Sequence, residues 1–332
     1  MKKFHILSVI VGLVLLTILV IKIGAEELWK ELGQLGWGLI PFILLEGVAD
    51  VFHTIGWRNC LVSSRRELSY LQLFRIRMAG YSINYLTPTA SLGGEITKGA
   101  LLSLHQSGAE AATGVIVGKL AYATAQLFFV VAGSLVILWG IPLPLHIWLV
   151  MLFGTLIVGT GIFSFLVIQK YGKLGAVFRW LSKHKIGGRR LQKLSEPLTR
   201  IDEELKLFYK NHPLKLPRAM FWHLLGMSLG IIQSWYFLYL MTDKTSLLMA
   251  AGIWCLGGWL DLISFPLVTN VGILEVTRVV VFTALGFHSA LGLTFGIALR
   301  IEQLFWAAVG LLMYVSLLAS KEGGSLELSG DY

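Results

Sequence analysis

Two short stretches of this 332-residue sequence carry an acid and a base three positions apart, Glu95 with Lys98 and Glu275 with Arg278. On a helix that spacing puts both groups on one face, where they can pair within a turn. A second base follows each acid at nearly the same distance: Lys119 lies 24 residues after Glu95, and Arg300 lies 25 after Glu275. Three positions further on come Tyr122 and Gln303. These charges sit in or beside apolar runs as long as a bilayer is thick, where one ionised side chain costs about 2.5–3.5 kcal/mol. They must pair with each other or face a water-filled cavity. Lys119 and Arg300 have no acid on the same face of their own helices, because Glu302 at i+2 points elsewhere, so both are expected to reach such a cavity. Fixed Lys and Arg beside broken-helix ends suit phosphate, since helix N-termini offer N–H groups and the positive end of a dipole. Lys98, Lys119, Arg278 and Arg300 are therefore the candidate phosphate holders. Glu95 and Glu275 would set local charge or touch an aminoacyl or sugar group. The alternative is a structural one, in which all six are buried pairs that orient helices.

A further set, Glu46, Asp50 and His53, falls at i, i+4 and i+7 on one helical face. Such a face could relay protons, His being the side chain that titrates near neutrality. It could equally bind a cation, or His53 could lie near the membrane edge with no coupling role. Asp261 is also intramembrane, and a bond to a neighbouring helix would account for it. Cys60 and Cys255 are the only cysteines, and no CxxC, P-loop, HExxH or GxSxG motif occurs. No catalytic residue, metal or cofactor is expected.

These groups must be held by membrane helices. The chain is 55% apolar and 14% charged, with a mean hydropathy of +0.72. A soluble domain carries about a quarter of its residues as charges, so a soluble enzyme, a disordered chain and a nucleic-acid binder are excluded. The pattern predicts spans at 4–23, 37–57, 111–139, 147–168, 218–241, 246–265 and 290–319. The segments 78–104 and 266–286 are broken by Pro88, Gly93, Gly94 and by Pro266, Gly272, which predicts two re-entrant or broken helical segments. Gly93 and Gly94 would let backbone approach a ligand closely. The fold expected is an all-α polytopic bundle of seven or eight spans in two pseudo-repeated halves, 1–168 and 218–319, followed by a short tail at 320–332.

Of the net charge of +9, +8 lies between Gln169 and Pro217, where 12 Lys/Arg face 4 Asp/Glu. Basic loops collect on the cytoplasmic side, so this loop and the N-terminus are expected there, in the inner membrane. Within the loop Leu191, Leu194, Leu198, Ile201, Leu205 and Phe208 form one apolar helical stripe. It reads either as an interfacial helix that recruits anionic headgroups or as a helix packed on the protein itself.

Arg77, Gly80, Asn84, Pro88, Gly93, Gly94, Glu95 and Lys98, in that order, resemble the first motif of the lysylphosphatidylglycerol synthase transmembrane region family of flippase-like proteins. That motif typically ends GGE-x-x-R, so Lys98 is a departure. Gly272 and Glu275 match the second motif, although Asn270 and Ile273 stand where small residues are usual, and the helix with Arg300 also fits. The resemblance covers about residues 5–320. Bifunctional members add a soluble aminoacyl-transferase domain, and only a short tail follows the last expected span here, so synthase activity is not expected. The resemblance implies movement of lipid between leaflets. The partners expected are an anionic or aminoacylated phospholipid or a polyprenyl-linked carrier, together with a separate lipid-synthesising enzyme. A membrane-embedded transferase, with Glu46, Asp50 and Glu95 around a divalent metal, and an ion-coupled solute transporter are the alternatives.

Overall fold

The computed structural model describes residues 25–61, 68–87, 92–141, 145–170, 206–208, 210–243, 245–264 and 272–327, with single positions at 180 and 183. The expected span at 4–23, Pro88, Pro266 and all of the 191–208 stripe except its last three-residue turn lie outside these residues. Every element among the described residues is helical. In order they are α1 (Ala25–Leu35), a 3-10 turn (Gly36–Gly38), α2 (Leu39–Arg58), α3 (Tyr70–Leu86), α4 (Leu92–Leu102), α5 (Gly108–Gly140), α6 (Leu145–Lys170), α7 (Lys215–Met241), α8 (Leu247–Ser264), α9 (Ile273–Ala284) and α10 (Ser289–Glu327). Among the described residues, four stretches are long and apolar enough to cross a membrane: Leu32–Arg58, Glu110–Gly140, Lys215–Met241 and Ser289–Ala319. Two shorter apolar ones are Met151–Gly161 and Leu247–Asp261. α10 continues eight residues past the expected end of its span.

Local chemistry explains the breaks. Ser69 and Gln72 form a reciprocal cap at the start of α3, and Ser107 and Glu110 do the same for α5. Each satisfies N–H groups that the first turn leaves without partners. Gly272, at the start of α9, has φ +78°, in the left-handed region that only glycine adopts at little cost. At ~1.5 Å per residue, the 11 residues of α4 and the 12 of α9 span about 16 and 18 Å. Both fall short of the ~30 Å hydrocarbon core.

The two halves read from charge offsets can be compared helix by helix. The units α2–α3–α4–α5 and α7–α8–α9–α10 have lengths of 20, 17, 11 and 33 against 27, 18, 12 and 39 residues. Their packing repeats as well: α3 lies on α10, α8 lies on α5, and the leading helices α2 and α7 lie on each other. The two units are thus interleaved. Phe42 of α2 meets Phe237 and Phe295 of the second unit, and both of these pack on Phe282, with ring centroids 5.0 to 6.4 Å apart. A second core gathers Trp57, Leu73, Ile76, Leu102, Ala121 and Ala219. Phe208, at the end of the basic loop's stripe, is buried in that same core, so this end of the stripe packs on the protein. Phe153, Ile157, Leu312 and Val315 are exposed, as expected of faces that meet lipid.

Candidate functional site

The site is built where α4 lies against α3. A Cβ at Gly94 would run into the carbonyl oxygen of Gly80 and the amide of Asn84, and one at Gly80 would meet Lys98 and the Gly94 oxygen. This pair of glycines brings the two backbones together. Asn84 Oδ1 accepts the Gly94 N–H at 2.6 Å, so that first-turn donor is already taken. Gly94 serves helix packing, where its missing side chain is needed. Gly93, its neighbour, is partly buried.

From this platform Glu95 reaches two lysines. Lys98 Nζ stands 2.5 Å from Oε2 within the same helix, and Lys119 Nζ, on α5, stands 3.4 Å from Oε1. Lys98 also lies over the indole of Trp57, 5.5 Å from its centroid. That indole donates to the Gly114 carbonyl at 3.2 Å and fits because Gly118 has no side chain. The Lys119 side chain is 46% exposed, the most open of these charged groups.

These residues line a cavity of about 390 Å³. α2 contributes His53 and Trp57, and α3 contributes Arg77, Tyr81, Asn84 and Tyr85. Glu95 and Lys98 come from α4; Gly118, Lys119, Tyr122 and Gln126 come from α5; His223 comes from α7. None of the thirteen is an aliphatic residue, although more than half of the chain is apolar. Arg77 donates through Nη1 to Asp50 behind the wall. Among the described residues, the charged groups facing the cavity are therefore three bases and one acid, with Asp50 as a buttress.

The second half repeats the acid-to-base relation but uses it differently. Arg300 Nε donates to Glu275 Oε1 at 2.9 Å and Nη2 donates to Oε2 at 3.3 Å. This two-pronged pair joins α10 to α9 and matches Lys119 with Glu95. Glu275, Arg278 and Arg300 do not line the cavity. Arg300 comes nearest, donating from Nη1 to the Tyr85 hydroxyl at 3.3 Å. The expected Glu275–Arg278 pair is corrected. Arg278 turns to α8 and binds Asp261 through two bonds, Nη2 to Oδ2 at 2.6 Å and Nη1 to Oδ1 at 3.2 Å. It has room to do so because a Cβ on Gly257 would stand 2.7 Å from Nη1. Asp261 is thus explained as a bond to a neighbouring helix.

The Glu46, Asp50 and His53 face is also divided. Asp50 is held by Arg77. His53 Nδ1 lies 3.1 Å from Nδ1 of His223, joining α2 to α7. Glu46 has neither an ion pair nor a hydrogen bond among the described residues, and no cluster of three His, Cys, Asp or Glu there could hold a metal ion. The metal triad of Glu46, Asp50 and Glu95 is therefore not assembled. Sequence reasoning missed His223, Tyr85, and the pair formed by Gln233 and Glu302. Gln233 Nε2 donates to the Glu302 carboxylate and to the Phe42 carbonyl, the latter at 2.9 Å. The partners are 69 to 191 residues apart, and no local spacing marks them.

No curated protein and no solved structure matches the chain. A family model does, over residues 5–310, and its apolar helices and lipid-linked family make this a multi-pass membrane protein tied to lipid metabolism. The chain belongs to the lysylphosphatidylglycerol synthase transmembrane region family.

Proposed function

We propose that this protein moves a lipid between leaflets by passing its phosphate-bearing headgroup through the cavity while the acyl chains stay in hydrocarbon. The observation that carries this reading is the lining: a 390 Å³ hollow with no aliphatic side chain among the described residues that line it, set with Arg77, Lys98 and Lys119. Burying those charges costs several kcal/mol unless a polar occupant or water offsets it. Lys98 and Lys119 contact the phosphate, and Glu95 holds them in place when the cavity is empty. The Glu275–Arg300 and Arg278–Asp261 pairs brace the second unit.

The same reading has seven or eight crossings, with α4 and α9 entering the membrane without traversing it, as their lengths of about 16 and 18 Å favour. The basic stretch 169–217 faces the cytoplasm by its charge, and the chain sits in the inner membrane and performs no chemistry on the lipid. Of the three coupling candidates, His53 alone lines the cavity. Any proton coupling passes through its contact with His223.

Reconstitution into liposomes with fluorescent phospholipids, scored by leaflet accessibility, tests the proposal. Lys119→Ala should slow lipid transfer about tenfold or more, the scale of one lost hydrogen bond to a charged group. Transfer at the parent rate by that variant would remove the assignment.

A further inference from the structure

Resting on the lipid-transfer reading, we infer that the His53–His223 contact is a proton-operated latch between the two units, which opens when both rings are charged and which an anionic headgroup in the cavity helps to open. α2 and α7 present one local pattern to each other, an aromatic residue, a histidine and, three positions on, a glycine. Phe52, His53 and Gly56 meet Trp222, His223 and Gly226. Phe52 stacks on Trp222 with ring centroids 5.8 Å apart. Each imidazole fills the space over the other helix's glycine, since a Cβ at Gly226 would stand 2.8 Å from His53 and one at Gly56 2.9 Å from His223. Tyr122 packs on both imidazoles, 5.2 and 5.4 Å from their centroids. The two rings are thus wedged, and separating them requires the helices to move. Among the described residues that line the cavity, His223 alone comes from the second unit. The contact is therefore where the cavity wall passes from one unit to the other.

The two Nδ1 atoms lie 3.1 Å apart, a hydrogen bond that needs one N–H facing one bare nitrogen. A neutral pair meets that condition, and so does a pair with one added proton. With both rings charged, N–H faces N–H and two like charges stand in contact, which only a shift of α2 from α7 relieves. His223 Nε2 is buried with no hydrogen-bond partner among the described residues, a nitrogen that a contact serving only to join helices would gain nothing by leaving unpaired. The charges that act on the pair come from the cavity side, from Arg77 on α3 and Lys98 on α4. Arg77 is paired with Asp50 and Lys98 with Glu95, and Glu46 lies one turn before Asp50 on α2. Tyr122 is the titratable group that α5 packs on the pair. Asp261 of α8 and Glu302 of α10 are engaged by Arg278 and Gln233. A phosphate drawn to Lys98 adds negative charge beside the rings and so favours the second proton. By linkage the proton favours the phosphate by the same factor.

The full chain is reconstituted in phosphatidylcholine vesicles carrying tail-labelled phosphatidylglycerol, and transfer is followed from about pH 8 to about pH 5, the range in which histidine changes charge. The parent rate should rise about tenfold or more as the pH falls, the scale of one hydrogen bond between charged groups lost. His223→Gln keeps a donor and an acceptor but does not titrate, and its rate should change by no more than about twofold. His53→Gln should behave alike, so poor folding of one variant leaves the comparison intact. In detergent the parent's unfolding temperature should fall by about 2 °C or more relative to His223→Gln over the same range. Glycerol phosphate should raise the parent's value more at the lower pH. Identical pH profiles for the parent and both variants would overturn the latch while leaving lipid transfer standing. No lipid movement at any pH, with the difference in unfolding temperature intact, would remove the lipid-transfer reading and keep the latch. Absence of both effects would remove both.

Discussion

Glu95 and Glu275 occupy matched positions, yet their surroundings give them opposite uses. Glu275 is 2% exposed, and its carboxylate is taken by both prongs of Arg300. Removing Arg300 would strand a buried acid, which typically costs about 3–5 kcal/mol. Arg300→Ala should accordingly show a much lower unfolding temperature in detergent micelles. Arg300→Lys should recover only part of the loss, because an ammonium cannot make the forked contact. Glu95 keeps Lys98 if Lys119 is lost, and Lys119 is half open, so Lys119→Ala should stay within about 1 kcal/mol of the parent by the same measurement. Sequence spacing made the six charged residues visible and gave the Glu95–Lys98 contact correctly. It could not choose between partners on different helices. Arg278 passes over Glu275, three residues away, for Asp261, because Gly257 opens a slot for the guanidinium. The signals available in the chain were the unexplained Asp261 and a glycine four residues before it.

Glycines decide how closely the helices approach. In the first unit Gly80 and Gly94 let α3 and α4 touch. In the second, Gly292 and Gly296, one turn apart on α10, face the backbone of α9 at Val279 and Glu275. Small residues at such contacts are the usual means of packing helices in lipid, where no hydrophobic force drives them together. Gly94→Ala should separate α4 from α3 and cost about 1–3 kcal/mol, seen as a lower midpoint for loss of the monodisperse peak on heating. Gly272→Ala forces a side chain into the left-handed region and should cost about 1–2 kcal/mol in the same assay. The long helices were legible from their apolar runs, and their predicted edges agree with α2, α5, α7 and α10 to within a few residues at most ends. The short ones were legible only as interruptions. Hydropathy reports what meets lipid, whereas α4 and α9 are placed by packing inside the protein.

Taken whole, the two units are interleaved. Phe42 is the first unit's contribution to a four-ring core otherwise supplied by the second, and Gln233 reaches across to its carbonyl. Co-expressed fragments 1–190 and 191–332, cut in the basic loop, should therefore copurify as one complex, and each alone should aggregate because half a core has no counterpart. Recovery of each fragment as a stable monomer would contradict interleaving. The charge offsets suggested two related halves, but not which helices meet across them, since contacts between α3 and α10 or α5 and α8 leave no mark on local sequence. One consequence concerns motion. α9 is tied to both its flanking helices by forked arginine bonds, whereas α4 is held to α5 by the single Lys119–Glu95 contact and to α3 by the Gly94–Asn84 hydrogen bond. The bracing is lopsided: on warming, amides of α4 should exchange with deuterium sooner than those of α9, because fewer charged bonds clamp α4 to its neighbours.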